Sequence, residues 1–465
     1  ALNEELSVLS LQFGENVLKE TNRFEMVIED EADLEGLPPA VVEAATEAAT
    51  ARGHDGKWVF TLHKPSLIPF LQYSPKRELR QQMFEGYINV GDHGDELDNN
   101  AILARMASVR AERAQLLGFP SHAHYVLDDN MAKNPENVSE LLEKLWTPAL
   151  DRAKAEAADF QEMINKENKK ADRFELAAWD WWYYAEKVKK AKYDLDEAMV
   201  RPYFELENVR AGLFGTVTKL FGITFHERTD IPVYHEDVKV YEVKEADGST
   251  VAVWYSDYFP RDSKRGGAWM SSFRKQFYDG DERVVPVIYN VGNFTKPTAD
   301  TPALLSADEV GTMFHEFGHA LHGILSDCRY KTLSGTSVAR DFVELPSQIL
   351  ENWAFEPEVL ATYAKHFETG EPIPAELVEK LETSKHFNQG FATTEYLAAS
   401  FLDMDWHTIE TTDEKDVAVF EMESMDRIGL IEEIVSRYRS PYFRHIFSGG
   451  YSAGYYSYVW AEVLD

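Results

Sequence analysis

Apolar residues recur three and four positions apart from Ala1 to about Gly222, the spacing of helices with one buried face. Leu6, Leu9, Phe13 and Val17 share such a face. Between Glu136 and Leu195 two long amphipathic helices are predicted, with Asn137 and Glu140 as the start signal and a break in the polar run 165–172. The aromatic run Trp179, Trp181, Trp182, Tyr183 and Tyr184 reads as helix–helix packing rather than a ligand box.

The period changes between Phe225 and Phe294. "VKVYEV" and "STVAVWYSDYF" are β-branched and aromatic, and Asp247-Gly248 between them signals a hairpin. "RVVPVIYNVGNF" is a third strand, which Pro286 places at a sheet edge because proline lacks the N–H a ladder needs. Helical spacing resumes after Thr301 and continues to the end. No Gly/Ser- or Pro-rich linker intervenes, so one domain is expected over 1–465. It comprises a helical part (1–222), a β-containing part (223–300) and a final helical part (301–465). The fold class is mostly α with one small antiparallel sheet over about 225–294.

Lys and Arg number 47 against 80 Asp and Glu, a net charge of −33. Such a chain repels phosphate backbones and anionic lipid surfaces, so nucleic-acid and membrane roles are disfavoured. One cysteine, Cys328, allows neither an internal disulfide nor a thiolate metal cluster. No run of 18 apolar residues occurs. A cytoplasmic protein is expected.

The sharpest chemical signal is His315-Glu316-Phe317-Gly318-His319, in a predicted helix that Ser306 and Glu309 open as a capping box. Residues four apart share a helix face, so both imidazoles can reach one ion, with the Glu316 carboxylate beside them. With 14 histidines in 465 residues, chance supplies the pattern about 0.04 times per chain. Catalytic zinc takes three protein ligands and keeps an open position. His322 reads as a residue supporting the ligands from behind or a buried helix residue, rather than a ligand, whereas Glu344 lies where a returning helix could supply an oxygen. Spacing alone leaves Glu344 equally a ligand or an ordinary solvated acid. Gln348 and Glu351 follow at i+4 and i+7, placed to orient ligand imidazoles. Taken by themselves, Tyr451, Tyr455, Tyr456 and Tyr458 read as aromatic packing beside the Gly449-Gly450 turn.

"FHEFGHALHG", "LSGTSVARDFVELPSQILENW" and "HIFSGGYSAGYYSYVWAEVL" closely resemble the thimet-oligopeptidase-like metallopeptidases. "QQMFEGYINVGDHGDELDN", "WDWWYYAEKVKKAKYDLDE" and "FPRDSKRGGAW" extend the resemblance over most of the chain. Within the family, "SGTSVARDF" and "RDFVELPSQ" are most similar to the bacterial peptidyl-dipeptidase branch. The resemblance implies a two-lobed zincin-type fold, with the sheet lining a channel that admits short unfolded peptides. It implies one Zn²⁺ on His315, His319 and Glu344, with Glu316 as the acid–base residue. It further implies Tyr458 as donor to the developing oxyanion, His445 and Tyr451 as substrate contacts, and Tyr455 as a further contact if its segment is helical. A monomer releasing C-terminal dipeptides is expected, from a chain shortened at both ends relative to the family. The alternatives are an endo-acting oligopeptidase and a catalytically silent, zinc-stabilised peptide-binding fragment. An edge strand within Val238–Phe259 could pair with an extended peptide. Arg340, Lys264 and Arg265 are candidates for the peptide's terminal carboxylate, or ordinary surface charges.

Overall fold

The computed structural model describes all 465 residues. Its principal helices are α1 (Leu2–Arg23), α2 (Asn100–Leu116), α3 (Pro135–Glu167), α4 (Trp181–Tyr193), α5 (Leu206–Phe221), α6 (Ala307–Ile324), α7 (Leu345–Ala354) and α8 (Gln389–His407). The main sheet contains β1 (Thr224–Glu227), β2 (Lys239–Lys244), β3 (Thr250–Asp257), β4 (Trp269–Arg274) and β5 (Val287–Val291). Two short antiparallel pairs, 26–28 with 58–60 and 277–279 with 282–284, complete the strands. The chain is mostly α, as its spacing predicts. It divides into two compact units, one of residues 1–62, 66–194 and 384–460, the other of residues 63–65, 195–383 and 461–465.

The first unit is helical apart from the 26–28 and 58–60 pair. Leu6, Phe13 and Val17 of α1 are buried, and Phe13 meets Phe447 at 5.4 Å. The start of α3 lies three residues before the expected signal. Asn134 is the cap, its side chain accepting the Asn137 N–H at 2.9 Å, and Pro135 occupies the first turn. Proline there removes only an N–H that a helix start leaves free, and this outweighs the Asn137–Glu140 pairing. Trp181 is fully buried, stacked on Phe391 of α8 at 4.9 Å and edge-on to Phe160 of α3 at 5.0 Å. Packing is therefore its role.

In the second unit the sheet order is β1-β2-β3-β5-β4. β2 and β3 form the expected antiparallel hairpin across Asp247-Gly248, where Gly248 takes φ +86°, a left-handed value glycine adopts without strain. Three expectations need correction. The sheet is mixed rather than antiparallel, because β5 inserts between β3 and β4, parallel to the first and antiparallel to the second. The strand after Pro286 is consequently interior. Proline is accommodated because it precedes β5 and contributes only its carbonyl, which accepts the Val253 N–H at 3.0 Å. Neither β2 nor β3 is an edge, so the strand that could pair with a peptide is not within Val238–Phe259. The edges are β1 and β4. Helix α6 lies against this sheet, with Phe317 buried edge-on to Trp254 of β3 at 4.9 Å.

Candidate metal centre

Helix α6 begins as the sequence predicts. The Ser306 hydroxyl accepts the Glu309 N–H at 3.0 Å, and the Glu309 carboxylate accepts the Ser306 N–H at 2.7 Å. Two turns on, His315 and His319 project from one face with ring centroids 4.8 Å apart and planes at 86°. Glu344 caps α7, which packs closely along α6. Gly318 permits that approach: a Cβ there would stand 2.5 Å from Ser347 Cα and 2.6 Å from the Pro346 carbonyl. Glu344 is 1% exposed, and its Oε2 lies 3.2 Å from His315 Nε2 and 3.0 Å from His319 Nε2. Ser347 Oγ donates to the Glu344 carbonyl at 2.7 Å and approaches its Oε2 at 3.2 Å.

The electrostatics follow from burying these groups together. Burial alone would lower the His315 pKa, but hydrogen bonds to Glu344 and Glu351 carry it well above the ordinary imidazole value. Burial alone would raise Glu344, yet the facing His319 and His315 hold it well below the usual carboxylate range. Burial raises the pKa of Glu316, whose Oε2 is enclosed without a hydrogen-bond partner. Such a cluster of carboxylate and two imidazoles binds a proton or a cation in its midst.

The donor set suits zinc. Ligand atoms about 2.0–2.1 Å from a tetrahedral zinc lie about 3.3 Å from one another. The two imidazole nitrogens and the Glu344 oxygen all fall within 4.8 Å of each other, with both histidine–carboxylate spacings near that ideal. Three protein donors leave a tetrahedral ion one open position. His322 is outside this set, and burial lowers its pKa.

The other predicted residues fall as follows. Glu351 Oε1 contacts His315 Nδ1, the arrangement that fixes a ligand imidazole's tautomer. Gln348 is half-buried one turn beyond Glu344. Tyr451 and Tyr458 stack at 5.6 Å with their planes 8° apart, and His445 lies 5.9 Å from Tyr451. Tyr455 does not share a helical face with Tyr458, because the final helix begins only at Ser457. Its ring is 3% exposed and packs among Phe443, His445 and Tyr396. Lys264 is buried too, donating to Asp257 Oδ1 at 2.9 Å and the Phe259 carbonyl at 2.7 Å. Burial pushes its pKa down to about 8. Its charge is committed to that loop and unavailable to a peptide carboxylate.

Sequence reasoning missed Asn290. Fully buried on β5, it accepts from Trp254 Nε1 and donates to the Glu316 carbonyl, both at 2.7 Å, tying the motif helix to the sheet beside its acid. The signal was present: an amide within the apolar run "VVPVIYNV" must find partners when buried.

Residues 70–465 match peptidase family M3. The chain belongs to that family. It is 44% identical to the dipeptidyl carboxypeptidase of Escherichia coli (strain K12), an alignment covering all of this chain and 68% of that protein. It is 36% identical to oligopeptidase A of the same organism, covering 99% of this chain and 68% of that protein. Saccharolysin of Saccharomyces cerevisiae (strain ATCC 204508 / S288c) is 31% identical over all of this chain and 66% of its own length. This M3 chain is thus a peptidase, from a family of zinc metallopeptidases, and the His315–His319–Glu344 cluster is its candidate metal site. No helix is long and apolar enough to cross a membrane.

Proposed function

We propose that the protein is a zinc-dependent peptidyl-dipeptidase that releases C-terminal dipeptides from short unfolded peptides in the cytoplasm. The observation that carries this reading is the convergence of two Nε2 atoms and one buried carboxylate oxygen beside Glu316. His315, His319 and Glu344 would hold the zinc, which supplies Lewis acidity that polarises the scissile carbonyl and makes water acidic enough to attack at neutral pH. Glu316 takes the proton of the attacking water and returns it to the leaving amine. Its burial supports this role, since a carboxylate whose pKa is raised is a stronger base toward the attacking water. Glu351 holds the His315 tautomer that presents Nε2. Tyr458 donates a hydrogen bond to the developing oxyanion, and His445 and Tyr451 contact the substrate. β4, an edge of the sheet, offers a row of backbone groups to an extended peptide.

The dipeptidase assignment draws on the 44% identity to a dipeptidyl carboxypeptidase. The 36% identity to oligopeptidase A keeps an endo-acting oligopeptidase as the second reading. Mass spectrometry of products from peptides with free and amidated C-termini separates the two. Dipeptide release that amidation abolishes is expected, with activity lost to a chelator and restored by zinc. Internal cleavage of amidated peptides would favour the second reading, and no cleavage by zinc-loaded protein would overturn both.

A further inference from the structure

A buried polar chain outside the metal centre has no part in the chemistry above. Asp403, fully buried on α8, accepts three consecutive backbone N–H groups. Ala453 donates to Oδ1 at 2.8 Å, and Gly454 and Tyr455 donate to Oδ2 at 2.9 and 2.8 Å. Successive N–H groups converging on one anion form a nest, and forming it here puts Ala453 at φ +52°, a left-handed value unfavourable to a residue with a Cβ. The turn is therefore held by the carboxylate rather than preferred by the chain.

The carboxylate is itself oriented. His407 Nδ1 lies 2.7 Å from Asp403 Oδ1, and Arg110 Nη1 lies 2.7 Å from His407 Nε2. A guanidinium can only donate, so Nε2 accepts and the proton resides on Nδ1, directed at Asp403. Arg110 Nη2 also donates to the Ile446 carbonyl at 2.8 Å, immediately after His445. Seven residues before Asp403 on α8, the Tyr396 hydroxyl donates to the Tyr455 carbonyl at 2.6 Å. The network thus grips the backbone beside His445 and between Tyr451 and Tyr458. Two tyrosines seven apart stack face to face only because the chain doubles back at this held turn.

We propose that Asp403, oriented by His407 and Arg110, is a positioning residue that sets the turn at Ala453–Tyr455 and thereby the stacked Tyr451–Tyr458 pair. The proposal rests on the reading of Tyr458 as oxyanion donor for its kinetic consequence, but not for its structural one. The test uses the full chain, zinc-loaded, with two readouts. In protein carrying 3-fluorotyrosine, with resonances assigned by Tyr→Phe substitution, D403N should move the ¹⁹F signals of Tyr451 and Tyr458. Those of Tyr241 and Tyr363, in the other unit, should stay in place. In kinetics, D403N should lower kcat about 30–100-fold with KM changed less than about threefold and zinc content unaltered. In the Y458F background it should lower kcat no more than about threefold, because a misplaced hydroxyl and an absent one lose the same interaction. Should D403N fail to fold, H407Q, which keeps the carboxylate, takes its place in both readouts. Unmoved Tyr451 and Tyr458 signals overturn the proposal, as does an equal loss of kcat in both backgrounds. Moved signals with wild-type kcat uphold the positioning and sink the oxyanion reading of Tyr458 instead.

Discussion

Glu316 and the histidines on either side of it share one helix but have separable tasks. Glu316→Gln keeps the volume and helix of the native residue and removes only its capacity to carry a proton. Zinc content measured by mass spectrometry should equal that of the wild type, while kcat falls about 10²–10⁴-fold. A variant that cleaves at the wild-type rate would refute the assignment of the base. Tyr458→Phe removes one hydroxyl from a half-buried ring. Steady-state kinetics should show kcat lowered about 10²–10³-fold and KM changed far less, the pattern of an interaction made only in the transition state. The two histidines and Glu316 are legible from their spacing alone. Glu344 is not, since an acid 25 residues beyond His319 is ordinary until a second helix brings it back.

Helix against helix, the centre depends on an absence of side chain. Gly318 lies between the candidate ligands His315 and His319, and α7 passes over it closely enough that a Cβ would collide with backbone, which cannot rotate away. Gly318→Ala should separate α6 from α7 and draw Glu344 off the imidazoles. Competition with a chromophoric chelator should show zinc affinity reduced at least about tenfold, together with the roughly 1–3 kcal/mol cost of overpacking. Gly311→Ala on the same helix is the control. Its Cβ would meet only Phe355 at 4.0 Å, so affinity should stay at the wild-type value. Undiminished zinc affinity in Gly318→Ala would mean that the helices can slide without loss. At this scale the sequence reveals the helix and its cap, because both are local, while the glycine's reason for being there belongs to the partner helix.

For the molecule as a whole, two solution conditions should alter stability. A ligand that binds only the folded state adds about 2.7 kcal/mol when present at 100 times its dissociation constant, so chelation should lower the calorimetric unfolding temperature and zinc should restore it. An unchanged transition would show that the donor cluster holds no ion in solution. The second condition is pH. His122 and His407 are buried in the first unit, facing each other at 5.0 Å among Arg110, Arg113 and Asp403. Burial first, and then the neighbouring positive charges, hold His122 well below the ordinary imidazole value; burial likewise lowers His407. Each binds fewer protons folded than unfolded, so its contribution is intact above a pH of about 6.5 and lost as pH falls below it. Denaturant titrations at pH 7.5 and 5.5 should show His122→Asn losing about 1 kcal/mol less stability over that interval than the wild type does. An equal loss in both proteins would remove His122 as a cause. From sequence alone came the helical character, the hairpin at Asp247-Gly248, the capped motif helix and the resemblance to a peptidase family, because each resides in short-range spacing and in residue types that chemistry restricts. The insertion of β5 between β3 and β4, the return of Glu344, the tie from Asn290 and the grip of Asp403 on the tyrosine turn were decided only in three dimensions. Each joins groups far apart along the chain, and nothing in local periodicity encodes which distant partner a buried polar atom will meet.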